Sequence, residues 1–490
     1  MANTSLVSKL KDPTLLVEKA YVDGQWITAL DGSTFEISNP ANGEVLGTVP
    51  NLTVAEVKAA IEAAYTAQKN WAKLTAKVRS STLRKLYNLI VDSVEDLAII
   101  LTAEMGKPLQ EARTEILYGA AYIEWFSEEA KRLNGDVIPA HQTDKRLFVL
   151  KKPVGVVGAI TPWNFPSAML ARKLAPALAV GCALVAKPAA QTPLSALALA
   201  VLAHRAGVPA GVLNVITSTD AAMVGTTLCT SELVRKISFT GSTNVGRILM
   251  RQGADQIKKL SLELGGNAPF IVFDDADIDA AVEGAIAAKF RNAGQTCVCA
   301  NRIYVQAGIY DEFAEKLAKR VAKLAVGDGF APGSEIGPLI DGKAIKKVRE
   351  HVEDAVSRGA KIAVGGSLAD QGDHFFNPTV LVGVTSEMKV AKEETFGPLA
   401  PLFKFQTEEE VIAMANDTEF GLAGYFYSRD IGRIFRVAED LETGMVGVNT
   451  GLISSELAPF GGVKQSGLGR EGSKYGADDY IDLKYICLDV

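Results

Sequence analysis

Val154-Gly-Val-Val-Gly-Ala-Ile160 running directly into Thr161-Pro-Trp-Asn-Phe-Pro166 is the stretch that decides the fold. The first seven residues are small or β-branched, the composition of a short buried strand. The next six carry two prolines, which end the strand in a non-helical turn. Ligands bind at that end of the strands in open α/β sheets. The pattern then recurs: Leu184–Ala186, Val212–Ile216, Lys236–Thr240 and Leu260–Leu264 are further β-rich runs, alternating with helical runs such as Pro193–Ala206. Such alternation implies βαβ units, a parallel sheet and helices on both faces.

A second alternating block begins near Ala268. It holds Ile303–Val305, Leu399–Phe405 and Met445–Val448 as strands, and Tyr310–Ala325, Lys343–Arg358 and Ile431–Leu441 as helices. The two blocks join at Gly265-Gly266. Ahead of them, residues 54–72 and 81–132 have apolar residues at three- and four-residue spacing, with Pro108 starting a new helix. Two strand-like pieces fit neither block: Arg146-Leu-Phe-Val-Leu-Lys151, within 131–153, and Tyr480–Leu488 in the tail. The fold class is α/β.

With 490 residues the chain has room for two or three domains, and 48% hydrophobic with 22% charged residues suits large cores. A net charge of −6 argues against broad nucleic-acid or anionic-membrane binding. No apolar run is long enough to span a bilayer. The N-terminal run Met-Ala-Asn-Thr-Ser-Leu-Val-Ser-Lys-Leu lacks the apolar core of a secretory signal, and five scattered cysteines do not form a disulfide framework. The expectation is a cytoplasmic protein.

Cys297 lies in Phe290-Arg-Asn-Ala-Gly-Gln-Thr-Cys-Val-Cys299, among amides, a glycine and an arginine, with no histidine nearby. A cysteine is nucleophilic as thiolate, which needs donors, positive charge or a helix N-terminus; buried packing is the alternative. Asn164 offers an amide donor at a strand end, or caps the next helix. Lys187, ending an apolar strand, could meet a ribose hydroxyl or a phosphate, or snorkel at the sheet rim. Phe239-Thr-Gly-Ser-Thr-Asn-Val-Gly246 opens a helix with small residues and free N–H groups suited to an anion. Three such loops after three strands would line one sheet edge and could hold an extended dinucleotide. Glu263, in Leu262-Glu-Leu-Gly-Gly-Asn267, sits among apolar residues that should raise its pKa, suiting a general base; a salt bridge at a domain junction is the alternative. Lys392-Glu-Glu-Thr-Phe-Gly-Pro398 puts Glu394 and Phe396 in one turn, for ribose hydroxyls and ring packing respectively.

In this order and spacing, Pro162-Trp-Asn-Phe-Pro, Phe239-Thr-Gly-Ser, Leu262-Glu-Leu-Gly-Gly, Gly294-Gln-Thr-Cys and Glu394-Thr-Phe-Gly-Pro resemble the aldehyde dehydrogenase superfamily over essentially the whole chain. Cys297-Val-Cys-Ala-Asn-Arg302 and Pro459-Phe-Gly-Gly-Val-Lys-Gln-Ser-Gly-Leu-Gly-Arg-Glu-Gly-Ser-Lys-Tyr-Gly476 are most similar to its succinate-semialdehyde-oxidising members. The resemblance implies a Rossmann-like coenzyme domain (1–130 and 154–265), an α/β catalytic domain (266–465) and a small β oligomerisation element (131–153 and 466–490) that pairs subunits into a homodimer or homotetramer. It implies Cys297 as nucleophile, Asn164 and the Cys297 N–H as oxyanion donors worth ~3 kcal/mol each, and Glu263 as the base that activates the hydrolytic water. Coenzyme contacts fall on Thr161, Trp163, Asn164, Lys187, Ala190, Gly241, Ser242, Leu264, Glu394 and Phe396. The scheme needs no metal and no histidine.

A semialdehyde substrate carrying a carboxylate needs a cation, and arginine binds it bidentately. The resemblance gives that role to Arg172, Arg291 and Ser454, though either arginine could instead serve a structural ion pair. Ala190 stands where many NAD-preferring relatives carry a ribose-binding glutamate, so NADP is expected to be accepted and preferred, with NAD possible. Cys297 and Cys299 could pair as a redox switch only if the backbone kinks, since an extended chain holds their Cα atoms ~6.6–7.2 Å apart. A cysteine amidase or acyltransferase is a weaker reading, because no histidine accompanies the thiol. A retired, non-enzymatic fold is weaker still, because Cys297, Glu263 and Asn164 are all present. Glutarate semialdehyde, one carbon longer, is the alternative substrate.

Overall fold

The computed structural model describes residues 4–490; Met1–Asn3, part of the N-terminal run read above, lie outside the described residues. Five parallel strands form the heart of the first sheet, in the spatial order Leu213–Val215, Ala183–Lys187, Val156–Ile160, Val234–Thr240 and Lys259–Glu263. The chain starts at the centre with Val156–Ile160 and moves outward through two strands. It then crosses back to lay Val234–Thr240 on the other flank. That reversal creates a crevice at the C-terminal strand ends. Register aligns those ends: Ile160 faces Lys187 on one side and Phe239 on the other, while Thr240 faces Glu263. The loops after Ile160, Lys187, Thr240 and Glu263 therefore open on one rim.

Both faces of this sheet are covered, which is why its strands read as continuous apolar runs rather than alternating ones. Every residue of the strand Ala183–Lys187 and of the helix Pro166–Val180 is buried. The helix Leu194–Ala206 is apolar nearly all round for the same reason. The helical stretch expected over 81–132 is Ala76–Asp92, Val94–Met105 and Leu109–Glu129. Pro108 caps the last of these, as its sequence position implies; the break at Ser93 carries no proline or glycine to announce it.

Six parallel strands form the second sheet, in the order Thr379–Val382, Leu399–Phe405, Ala300–Gln306, Ala268–Val272, Ala423–Tyr427 and Met445–Val448, with Lys361–Val364 antiparallel at its edge. Gly265-Gly266 is the crossing between the sheets. Both sequence orphans meet in a three-stranded sheet: Ile481–Asp489 pairs along Lys145–Pro153, which also pairs with Asp136–Ile138. One part of the expected oligomerisation element lies elsewhere. Gly467–Leu468 joins the edge of the first sheet antiparallel to Leu262–Glu263, because its backbone supplies partners that the last strand of that sheet lacks.

The loop that carries Cys297 is bent by three consecutive left-handed residues, Asn292 (φ 54°), Ala293 (φ 53°) and Gly294 (φ 73°). This conformation costs a non-glycine residue about 1–2 kcal/mol. It is held because both carboxylate oxygens of Glu111 accept the Asn292 N–H at 3.1 Å. Gly294 has a second constraint, since a Cβ there would stand 2.2 Å from the Gly397 carbonyl oxygen. Gly294→Ala is therefore expected to lower stability by roughly 2–4 kcal/mol and to slow alkylation of Cys297 by iodoacetamide. Thermal melts and alkylation kinetics equal to the parent's would contradict this account of the loop.

Candidate active site

A cavity of about 310 Å³ lies on the seam between the two sheets. The first sheet's rim contributes Trp163, Asn164, Gly241, Ser242 and Leu264. The second contributes Arg291, Cys297, Glu394 and Phe396, while Arg172 and Ser454 reach in from a helix and a late loop. Eleven residues singled out in sequence, drawn from six separate segments, thus meet around one space.

The two sides are joined at the loop that carries Cys297. Asn164 Nδ2 donates one N–H to the Gln295 carbonyl at 2.9 Å, which fixes the amide and leaves its second N–H for the cavity. Asn292 Nδ2 donates to the same Gln295 carbonyl and to the Asn164 carbonyl. The Cys297 N–H meets no acceptor among the described residues. Gly266 allows the close approach: a Cβ there would sit 2.5 Å from the Cys297 carbonyl oxygen.

The resting thiol differs from the sequence expectation of a lowered pKa. Burial pushes Cys297 up to about 12; the positive charge of Arg172 opposes this, while Glu263 and Glu394 add to it. To act as a nucleophile, Cys297 would need a base to take its proton. Glu263, at the end of its strand, is held well above the ordinary carboxyl range by burial and by the neighbouring negative charge of Glu471, as its apolar surroundings imply. Its Oε2 is buried with no hydrogen-bond partner. Glu263 does not line the cavity itself.

The other coenzyme candidates lie further along the rim. Lys187 is buried, and its Nζ donates only to the adjacent Pro188 carbonyl, at 3.1 Å. Burial pulls its pKa down to about 8. Thr161 donates its N–H to the Lys187 carbonyl, and its buried Oγ1 has no partner. Ala190 is half-buried in the loop beyond Lys187. Ser242 caps the helix Thr243–Gly253, whose free N–H groups face the rim. Trp163 and Phe396 meet edge to face, with centroids 5.5 Å apart. Glu394 accepts from the Gly266 N–H at 3.2 Å, and burial pushes it up to about 7. An underused buried amine, an orphaned hydroxyl and a helix N-terminus in one line fit an extended dinucleotide.

The two arginines differ. Arg172 pairs with Glu471 at 2.7 Å, while Phe460 lies 3.9 Å beneath its guanidinium; it is thus a structural ion pair as well as a cavity wall. Arg291 has no carboxylate within ion-pair distance among the described residues, and its buried Nε lacks a partner. Cys299 is buried and its thiol donates to the Lys289 carbonyl at 3.2 Å. The backbone between the two cysteines does kink: Cys299 N–H closes a turn onto the Thr296 carbonyl, and both thiols are free.

Several site groups are not evident from sequence. Lys347, on the helix Gly342–Ser357, lines the cavity near Glu394; one turn on, His351 meets Thr395 and Glu393. In sequence Lys347 and His351 both fall within the helix expected over Lys343–Arg358. Glu471, within the tail motif, is buried, and the positive charges of Lys173 and Arg172 hold its carboxyl below the usual carboxylate range.

A sequence profile of the Aldehyde dehydrogenase family matches residues 26–486. The chain is 63% identical to the glutarate-semialdehyde dehydrogenase of Pseudomonas putida, over 98% of this chain and 100% of the relative. It is 61% identical to the NADP(+) succinate-semialdehyde dehydrogenase GabD of Escherichia coli, over 98% and 99%. Among solved structures, an NADP-dependent enzyme of Escherichia coli superposes with a TM-score of 0.97 at 60% identity, covering 98% of this chain and 100% of that one. Family and α/β fold are as the sequence motifs imply: the chain belongs to the aldehyde dehydrogenase family.

Proposed function

We propose that this protein oxidises succinate semialdehyde to succinate, using NADP in preference to NAD. The observation that carries the substrate reading is Arg291, a guanidinium without a carboxylate partner in the same cavity as Cys297. Arg172 and Ser454 complete the far end. Glutarate semialdehyde is the second reading, favoured by the name of the Pseudomonas putida relative.

Cys297 attacks the aldehyde carbon once its proton has left; Glu263, in its ionised form, is the buried carboxyl able to take that proton and pass it to solvent before hydrolysis. The oxygen of the resulting thiohemiacetal is met by the second N–H of Asn164 Nδ2 and by the Cys297 N–H. When bound, the coenzyme would supply the hydride acceptor, and Lys187, Ser242, Glu394 and the Trp163–Phe396 pair would hold it. Loss of hydride from the thiohemiacetal carbon would leave a thioester on Cys297. Glu263, ionised again, then draws a proton from the water that attacks the thioester; the C–S bond breaks, the departing sulfur recovers that proton, and the acid product leaves as its carboxylate. In this reading the first sheet belongs to the coenzyme domain and the second to the catalytic domain.

The three-stranded sheet supports self-association as a homodimer or homotetramer. Ile481–Asp489 is a nine-residue edge strand with Leu483 70% and Tyr485 58% exposed, an arrangement that invites pairing with a second copy. The compartment is the cytoplasm, a reading supported by five free thiols.

Cys297→Ala is expected to abolish oxidation of every aldehyde while the melting curve stays that of the parent. Arg291→Gln should raise KM for succinate semialdehyde roughly 10–100-fold while leaving that for propanal nearly unchanged. Equal effects on both aldehydes would sink the carboxylate reading. For the coenzyme, kcat/KM should favour NADP. Lys187 loses its proton as pH rises through about 8, so KM for NADP should climb above that pH while KM for NAD stays flat. Lys187→Ala should erase the difference. Finally, Leu483→Asp combined with Tyr485→Asp should yield a smaller species in sedimentation experiments; an unchanged mass would place the interface elsewhere.

A further inference from the structure

Lys107, Glu111 and Glu115 stand four residues apart, where Pro108 caps the helix Leu109–Glu129. Lys107 and Glu115 are buried and paired at 2.5 Å. A buried ion pair contributes little net stability, because its desolvation is so costly. This one is also fully occupied. Lys107 Nζ donates to Glu115 Oε2 and, at 2.8 Å, to the Asn164 carbonyl; it lies 3.8 Å from the centroid of the Phe165 ring. The other oxygen of Glu115 accepts the N–H groups of Ser167 and Ala168, at 3.0 and 3.2 Å, in the first turn of the helix that follows Asn164. Glu111 holds the opposite side through the Asn292 N–H. One helix start thus grips both the Asn164 turn and the loop that carries Cys297.

We propose that Lys107 is a positioning residue for the oxyanion donor: its ammonium anchors the Asn164 carbonyl, with Glu115 fastening the following turn, so that the free N–H of Asn164 Nδ2 stays aimed at the reacting carbonyl. This rests on the reading of Asn164 as oxyanion donor. Lys107 touches neither aldehyde nor coenzyme. Its contribution acts through Asn164 alone, so it affects the step that develops negative charge on oxygen and not the intrinsic reactivity of the thiol.

The test compares Lys107→Met, Asn164→Ala and their combination, using succinate semialdehyde and propanal as substrates and iodoacetamide as a probe of Cys297. Alkylation by iodoacetamide displaces iodide and creates no oxyanion. Lys107→Met is expected to lower kcat for both aldehydes roughly 10–100-fold, with KM for NADP and the alkylation rate unchanged. In the Asn164→Ala background it should cost nothing further. If Lys107→Met does not fold, Lys107→Met with Glu115→Gln, which leaves no unpaired buried charge, takes its place. Parent-like kcat, an equal fall in alkylation, or a loss that adds in full to that of Asn164→Ala would each overturn the proposal. If Asn164→Ala itself turned over normally, the underlying reading of Asn164 would fail instead.

Discussion

The hydrogen bond from Asn164 Nδ2 to the Gln295 carbonyl is the contact on which the site depends. It crosses from the end of a first-sheet strand to the loop between the last helix and strand that flank Cys297. Neither sheet contains a complete site. The donor amide belongs to one and the sulfur to the other, and a shift of an ångström at the seam would separate them. Short, backbone-level contacts at Gly266 and Gly294 serve the same end, because a side chain at either position would drive the layers apart.

Around that seam the protein buries an unusual amount of charge. Lys107 with Glu115, and Arg172 and Lys173 with Glu471, are ion pairs almost wholly removed from water. Such pairs are poor sources of stability but good sources of fixed geometry, since each lone pair and proton has one low-energy destination. The same dryness raises the Cys297 thiol and the Glu263 carboxyl together. Burial thus disfavours the charged form of both groups.

Much of the fold was legible because burial on both faces writes a strand as a short apolar run. Lys236–Thr240 and Leu260–Leu264 were read that way within two residues of the strands Val234–Thr240 and Lys259–Glu263. Pro108 was legible because proline has few permitted roles. Ser93 was not, because that break comes from how the neighbouring helices pack. Lys107, Glu111 and Glu115 escaped notice for a related reason. Charges four apart on a helix normally mark its wet face, and nothing local says that this face is covered by Phe165, Asn164 and the Cys297 loop. Lys347 was hidden in the same way.

By itself the sequence determined the alternation of strands and helices, the proline- and glycine-marked turns at strand ends, and the identity of the sulfur, the amide and the carboxyl on which chemistry could run. These are local properties, written in residue type and spacing. The tertiary structure alone decided that Arg172 is engaged by Glu471 while Arg291 is not, that Gly467–Leu468 belongs to the first sheet, and that Lys107 reaches Asn164 across 57 residues of chain. Charge pairing, edge completion and burial depend on what comes near in space, and short-range sequence pattern carries no record of that.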